Sequence, residues 1–276
     1  MRFRSIYATL CRPSSREANA IQIDRMCSAL AHGGHQVTLT AIGKKPNRVR
    51  DYDLVMLPWR PSRLRNRLMQ AMTAMCLWRF QPDILFTRSP LLALPGLRRG
   101  VKVVLELHSL PGKGSKTRDA LQHILRHPRL RRIVTISQAL ADDLVAEHGP
   151  PNPGCDIVVA HDGAKAGPRP GPAAAHHGPL RVGYFGHLYK GRGMETIGEL
   201  AQMLPEMCFE TYGGMEADLN HWRSKCADQA NLILHGYVPH ADVAPLMADC
   251  DILIAPYAAQ VSHAGGGDTG RWMSPL

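Results

Sequence analysis

The sequence predicts an α/β protein with two parallel sheets, each covered by helices on both faces, the second sheet incomplete. Three observations carry this expectation. Short apolar runs recur with helical or loop stretches between them at intervals of roughly 20 to 30 residues. Those runs hold few interior charges, as strands covered on both faces require. A proline- and glycine-rich stretch at 164–179 then breaks the rhythm, and the rhythm restarts after it. The expected division is 1–163 for a first domain, 164–179 for a linker and 180–276 for a partial second domain.

In chain order, the first strand is expected at Phe3 to Leu10. A helix follows, with Ile23, Met26, Cys27 and Leu30 on one face. Gly33-Gly34 ends it, because glycine adopts the left-handed cap at little cost. Strands are expected at Val37 to Ile42 and Asp53 to Leu57. Pro61 to Phe80 reads as a helix that is basic early and apolar later. Asp83 to Thr87 and Val101 to Leu107 read as strands, Leu121 to Leu125 as part of a helix and Arg132 to Ile136 as a strand. Ser137 is a helix N-cap ahead of Ala139 to Glu147, and Asp156 to Ala160 is a further strand. Beyond the linker come a strand at Leu180 to Phe185 and a helix with Met194, Ile197, Leu200, Ala201 and Leu204 on one face. Strands at Met207 to Tyr212 and Asn231 to Leu234, a short helix near Pro245 and a strand at Asp251 to Ala255 complete the pattern. The glycine-rich run after that strand reads as the approach to a helix that is not there, so the chain is expected to be a fragment with weak or no activity by itself.

Composition bounds the partners. Apolar residues make up 45% of the 276 and charged residues 20%, with 25 Gly and 21 Pro, a mix that suits short buried strands joined by loops. The net charge of +10 suits nucleic acid, anionic lipid headgroups or a phosphorylated substrate. No zinc-finger spacing or recognition-helix pattern appears, so nucleic acid is not expected. Seven cysteines without a Cys-x-x-Cys pair, and no export signal, predict a reducing cytoplasm. Trp59, followed by Arg60, Arg63, Arg65 and Arg67, fits either a membrane surface, as a peripheral contact on its inner face, or a tryptophan packed on arginine stems. No metal-ligand set and no cofactor are expected.

Four segments can carry chemistry. In Tyr184 to Met194 a strand runs into a turn with Gly186, His187, Gly191, Arg192 and Gly193 that opens a helix. The free N–H groups of such a first turn attract phosphate, and Arg192 can grip a diphosphate bidentately. An ordinary tight turn with a solvated arginine has the same local pattern. His108 lies at the end of a strand, where open α/β sheets bind ligands, and Glu106 shares its face and can hold the imidazole tautomer. A histidine satisfied by a backbone carbonyl is the alternative. Asn19 and Ala20 open the first helix, where small residues let backbone approach a ligand. Gly266, Gly267, Asp268 and Thr269 follow the last strand, where a nest of N–H groups can embrace a diphosphate or a sugar and Asp268 can bind a hydroxyl. A solvent loop is the plain alternative.

Together these segments resemble a glycosyltransferase of the two-Rossmann-domain (GT-B) type, close to the retaining family 4. The likeness rests on Asn19 to Gln22, Ala29 to Leu39, Arg132 to Leu140, His161-Asp162-Gly163, Tyr184 to Gly193, Asn231 to Pro239 and Arg271 to Leu276. The resemblance implies a nucleotide-sugar donor, UDP- or GDP-linked, bound mainly by the second domain in a cleft facing the first, and an acceptor bound mainly by the first. It gives His108 and Arg192 catalytic roles beside the donor sugar and diphosphate. Gly186, His187, Gly191, Gly193 and Gly266 to Thr269 fall to the donor, and Asn19, Ala20 and Glu106 to the acceptor side. It implies retention without a bound metal, and His187 stands where a second basic residue is common. A lipid-linked or cell-surface polysaccharide acceptor and a homodimer across the open sheet edge are further expectations. An epimerase-like enzyme, or a sugar-nucleotide-binding partner without activity, are the competing readings.

Overall fold

The computed structural model describes residues 2–13, 18–45, 49–58, 64–163, 178–258 and 270–272. They fall into two compact units, within Met1–Asp162 and within Gly163–Met273.

The first unit is a seven-stranded parallel sheet in the order β3-β2-β1-β4-β5-β6-β7. Its strands are β1 (Arg4–Ala8), β2 (Gln36–Ile42), β3 (Asp53–Leu57), β4 (Ile84–Thr87), β5 (Lys102–Leu107), β6 (Leu130–Thr135) and β7 (Asp156–Val159). Consecutive residues Ser5 to Ala8 are all buried, so β1 is covered on both faces. On one side, α1 (Ala18–His32) sends Ile23 and Cys27 into a core with Tyr7, Val37 and Leu39. Gly34, at φ +81°, turns the chain out of that helix. Helix α2 (Arg65–Phe80) buries Met69, Met72, Thr73, Cys76 and Leu77. Helix α4 (Lys116–Leu125) is capped by Ser115, and α5 (Gln138–His148) by Ser137, each hydroxyl accepting from a first-turn N–H.

One helix of this unit was not anticipated. Pro90–Arg98 forms α3, although it contains two prolines and a glycine. Pro90 occupies the first turn, where no N–H bond is lost. Gly96 lets the helix lie directly on the sheet, since a Cβ there would meet Leu85 Cδ2 at 2.6 Å.

The second unit has a four-stranded parallel sheet in the order β10-β9-β8-β11. Its strands are β8 (Arg181–Phe185), β9 (Cys208–Tyr212), β10 (Leu232–Gly236) and β11 (Ile252–Leu253). The last is shorter than the expected Asp251 to Ala255, and the chain from Ile254 to Ala258 continues as an extended segment. Helices α6 (Met194–Met203) and α7 (Glu216–Lys225) cover one face with Ile197, Ala201, Leu219 and Trp222. Helix α7 was missed because only Leu219 and Trp222 are buried in an otherwise polar stretch. Helix α8 (His240–Ala248) carries Pro245 inside it. Among the described residues no helix is long and apolar enough to cross a membrane.

Candidate functional site

In both sheets the strand order reverses beside the first strand of the unit: between β1 and β4, and between β8 and β11. The crevice outside the carboxyl ends at such a reversal is where open α/β sheets bind ligands. The candidate residues lie at these two places.

In the first unit a cleft of about 430 Å³ opens at the ends of β1, β4 and β5, lined among others by Thr9, Asn19, Arg88, Ser89, His108 and Ser115. The register aligns Tyr7 with Phe86 and Phe86 with Val104. Alternation then puts Tyr7, Arg88, Glu106 and His108 on one face of the sheet. Glu106, 3% exposed, is their centre. Its Oε1 is 2.7 Å from His108 Nε2 and accepts a hydrogen bond from Arg88 Nη2 at 2.7 Å. Its Oε2 accepts from the Tyr7 hydroxyl at the long limit of 3.5 Å. Burial alone would raise the Glu106 pKa, but His108 and the Arg88 guanidinium outweigh it and hold the carboxyl below its ordinary range. Burial pushes the Tyr7 phenol up, so it stays a donor. Glu106 is thus buried beside His108, with both carboxylate oxygens engaged within the cluster. Asn19 is exposed on the cleft wall, whereas Ala20 is 4% exposed and packs in the core.

Arg88 was not singled out from the sequence. Its Nε and Nη1 are buried with no hydrogen-bond partner among the described residues. Its only signal was position, directly after a strand that borders the reversal.

In the second unit the turn from Gly186 to Gly193 leads from β8 into α6. Gly191 and Gly193 both have φ +89°, a conformation open to glycine and costly for other residues. A Cβ at Gly193 would lie 2.2 Å from the Pro256 carbonyl oxygen. Gly191 accepts a hydrogen bond from Ala258 N at 2.9 Å, so the turn is pinned to the segment after β11. Gly193 caps α6 without a side chain, and its carbonyl accepts the first helical bond, from Ile197 N at 3.0 Å. The N–H groups of the first turn thus point toward the reversal.

Arg192 donates to the Tyr189 hydroxyl at 2.6 Å, and its guanidinium carbon lies 5.0 Å from the ring centres of both Tyr189 and Tyr257. Its Nε is buried without a partner among the described residues. Two tyrosines therefore hold the guanidinium, and neither was picked out from the sequence. His187 is exposed, and its carbonyl accepts from Tyr184. Gly186 N donates to Tyr212 O, tying the turn to β9. Gly266, Gly267, Asp268 and Thr269 lie outside the described residues.

Glu210 is a second buried carboxylate, on the sheet face away from α6 and α7. It accepts from Arg181 Nε at 2.8 Å and Tyr212 at 2.5 Å, and lies 2.8 Å from His235 Nε2. Burial alone would raise its pKa, but these hydrogen bonds and the Arg181 charge bring it down to about 2. A carboxyl depressed in the folded state contributes stability above its ordinary value and loses it as pH falls through the folded value. Thermal melts should therefore show the wild type losing stability between pH 4.5 and about 2, with Glu210→Gln less stable near neutrality and flatter across that window. Equal slopes for the two proteins would refute the assignment.

Among the described residues no cluster of three or more His, Cys, Asp or Glu side chains suits a metal. The sequence does contain one His-x-x-x-His pair, His123 and His127, with ring centres 6.3 Å apart.

Comparison with known proteins agrees with this architecture. The model of Glycosyltransferase Family 4 matches residues 20–187. No curated protein matches the sequence. A glycosyltransferase from Rickettsia africae superposes with a TM-score of 0.69 at 13% identity, over 94% of this chain and 74% of that one. WaaG, a glycosyltransferase of lipopolysaccharide biosynthesis, gives 0.65 at 13% identity, over 94% and 76%. Anabaena HepE, in complex with UDP and glucose, gives 0.64 at 13% identity, over 94% and 75%. At these identities the likeness shows the shared GT-B fold. With more than half of its length matched by the family model, and with both sheets in that fold, the chain belongs to Glycosyltransferase Family 4.

Proposed function

We propose that this glycosyltransferase moves a sugar, with retention of configuration, from a UDP- or GDP-sugar to a lipid-linked acceptor of cell-surface polysaccharide assembly, working at the membrane face. The observation that carries the reading is the Gly191-Arg192-Gly193 turn, held at the strand reversal with a tyrosine-clamped guanidinium and the free amides of α6.

The chemistry follows from charge. The bond between anomeric carbon and diphosphate oxygen breaks, and negative charge grows on the departing nucleoside diphosphate. Arg192 and the first-turn amides of α6 meet that charge, already oriented before it appears. The acceptor hydroxyl forms the new bond on the leaving-group face and gives up its proton to the diphosphate. His108, oriented by Glu106, donates to a sugar hydroxyl or a phosphate oxygen. Asp268 and the glycines beside it take the donor sugar. Asn19 and Arg88 serve the acceptor. HepE was also solved with UDP-glucose, which supports beginning with uridine donors.

A panel of UDP-, GDP- and ADP-sugars in a thermal-shift assay tests the first half. One of them is expected to stabilise the protein by about 2.7 kcal/mol at a hundredfold excess over its Kd. No shift with any member would sink the donor assignment. Product analysis with a lipid-linked acceptor tests the second half: a transferred sugar with retained configuration supports it. An epimerised nucleotide-sugar, or binding without turnover, assigns the site to one of the other classes. A UDP-GlcNAc 2-epimerase from Neisseria meningitidis shares the fold at a TM-score of 0.57 and 12% identity, which keeps that outcome in the assay.

A further inference from the structure

The cleft of the first unit is lined by hydroxyls and not by carboxylates. Thr9, Ser89, Ser109, Ser115 and Thr117 border it, and among the described residues no Asp or Glu does. The nearest acidic group in the cluster beside it, Glu106, is buried and already engaged by Arg88, His108 and Tyr7. A neutral sugar presents many hydroxyl donors and is gripped most strongly where carboxylates accept from them. Hydroxyls without carboxylates suit a ligand rich in acceptor oxygens instead.

Arg88 narrows the choice. Its side chain borders the cleft and is 14% exposed. Nη2 donates to Glu106 at 2.7 Å, while Nε and Nη1 are buried with no hydrogen-bond partner among the described residues. Buried charged donors without an acceptor are costly, and each one in a folded protein calls for an explanation. An oxyanion seated in the cleft takes these donors after a small rotation of the side chain, and neither nitrogen gives up a hydrogen bond to make the new one. Charge points the same way. Residues 107–118, which supply one wall, contain Lys113, Lys116 and Arg118 and no Asp or Glu. Lys113 and Lys116 are exposed, so both ammonium groups are free to attract an anion from solution.

We propose that this cleft binds a phosphoryl group carried by the acceptor, held by the Arg88 guanidinium and the hydroxyls of Ser109 and Thr117, with Lys113 and Lys116 drawing it in. The directions of the donors favour phosphoryl over carboxylate. They come from the ends of β4 (Arg88, Ser89) and β5 (Ser109) and from the first turn of α4 (Thr117). A carboxylate offers two coplanar oxygens, whereas a tetrahedral phosphoryl group offers three acceptor oxygens spread in space. The inference deepens the proposed function, since it names the acceptor class for a cleft that reading already gives to the acceptor, and it rests on that reading. A lipid headgroup and a soluble sugar phosphate both present this chemistry.

Inorganic phosphate is the probe, read as the rise in melting temperature of the full chain at matched ionic strength, with UDP and GDP present to fill the donor site. Phosphate is expected to stabilise the wild type under these conditions, and acetate much less. Glu106→Gln/Arg88→Met should need about tenfold more phosphate, or more, for half the shift, the loss of a charged hydrogen bond. Ser109→Ala/Thr117→Val leaves the buried cluster intact and should need several times more. Arg192→Gln should do the reverse, losing the nucleotide shift and keeping the phosphate shift. Geranyl phosphate and glucose 6-phosphate then replace inorganic phosphate. A lower half-shift concentration for the first assigns the group to a lipid, and for the second to a soluble ester, and either supports the site. No phosphate shift in the wild type, an equal shift with acetate, or a phosphate shift that Arg192→Gln abolishes and neither cleft variant changes overturns the inference. A nucleotide shift retained beside a missing phosphate shift leaves the donor site standing and removes only the phosphoryl subsite.

Discussion

Glu106→Gln is expected to destabilise the first unit by about 3–5 kcal/mol, the usual cost of removing one partner from a buried ion pair. The reason lies in what Glu106 faces. It is 3% exposed and neutralises Arg88, whose guanidinium is itself mostly buried. Glutamine keeps the shape and one acceptor oxygen. It removes the charge, and it brings an amide N–H₂ to groups that are already donors, Tyr7 and Arg88. Arg88 would then be a buried cation without a counter-charge. Chemical denaturation of the variant should show a lower midpoint with an unchanged slope. The double variant Glu106→Gln/Arg88→Met should recover part of the loss, because the uncompensated cation is gone. A single variant as stable as wild type would mean that the carboxylate is not the centre of the cluster.

His108→Ala should behave in the opposite way. His108 is the most solvent-accessible member of the cluster, with its side chain 25% exposed against 4% for Glu106. Its removal leaves Arg88 still paired to Glu106. Stability should change little, while kcat falls about a hundredfold or more, the range for a positioned proton donor at a reacting centre. A change confined to KM would make His108 a binding group only. The two variants would separate the roles proposed for neighbours 2.7 Å apart, Glu106 as the group that holds the arrangement and His108 as the group that meets the substrate.

Much of this was legible before any coordinates. The alternation that puts Glu106 and His108 on one face is local, fixed by the pleat of a single strand. The Ser137 cap and the Gly193 start of α6 are local too, since caps depend on the few residues around a helix end. The glycines of the 186–193 turn were readable for the same reason. Helices α3 and α7 were not. Pro90, Pro95 and Gly96 argue against a helix by propensity, and only close packing on β4 and β5 reverses that. Helix α2 was half visible: a helix basic early and apolar later could be read, but which of its apolar residues reach solvent depended on the side the sheet covers.

The sequence by itself determined the class of fold and, helices α3 and α7 apart, most of the places where strands end and helices begin, because each follows from spacing within a short window. Only the tertiary structure decided their company. Arg88 reaches Glu106 because β4 pairs with β5, and Tyr7 reaches it because β1 pairs with β4. Tyr257 reaches Arg192 because β11 pairs with β8, bringing together residues 65 positions apart in the chain. Strand pairing is a long-range choice settled by the packing of whole sheets. No local pattern encodes which strand will lie beside another, so the neighbours that tune His108 and Arg192 appear only once the sheets have formed.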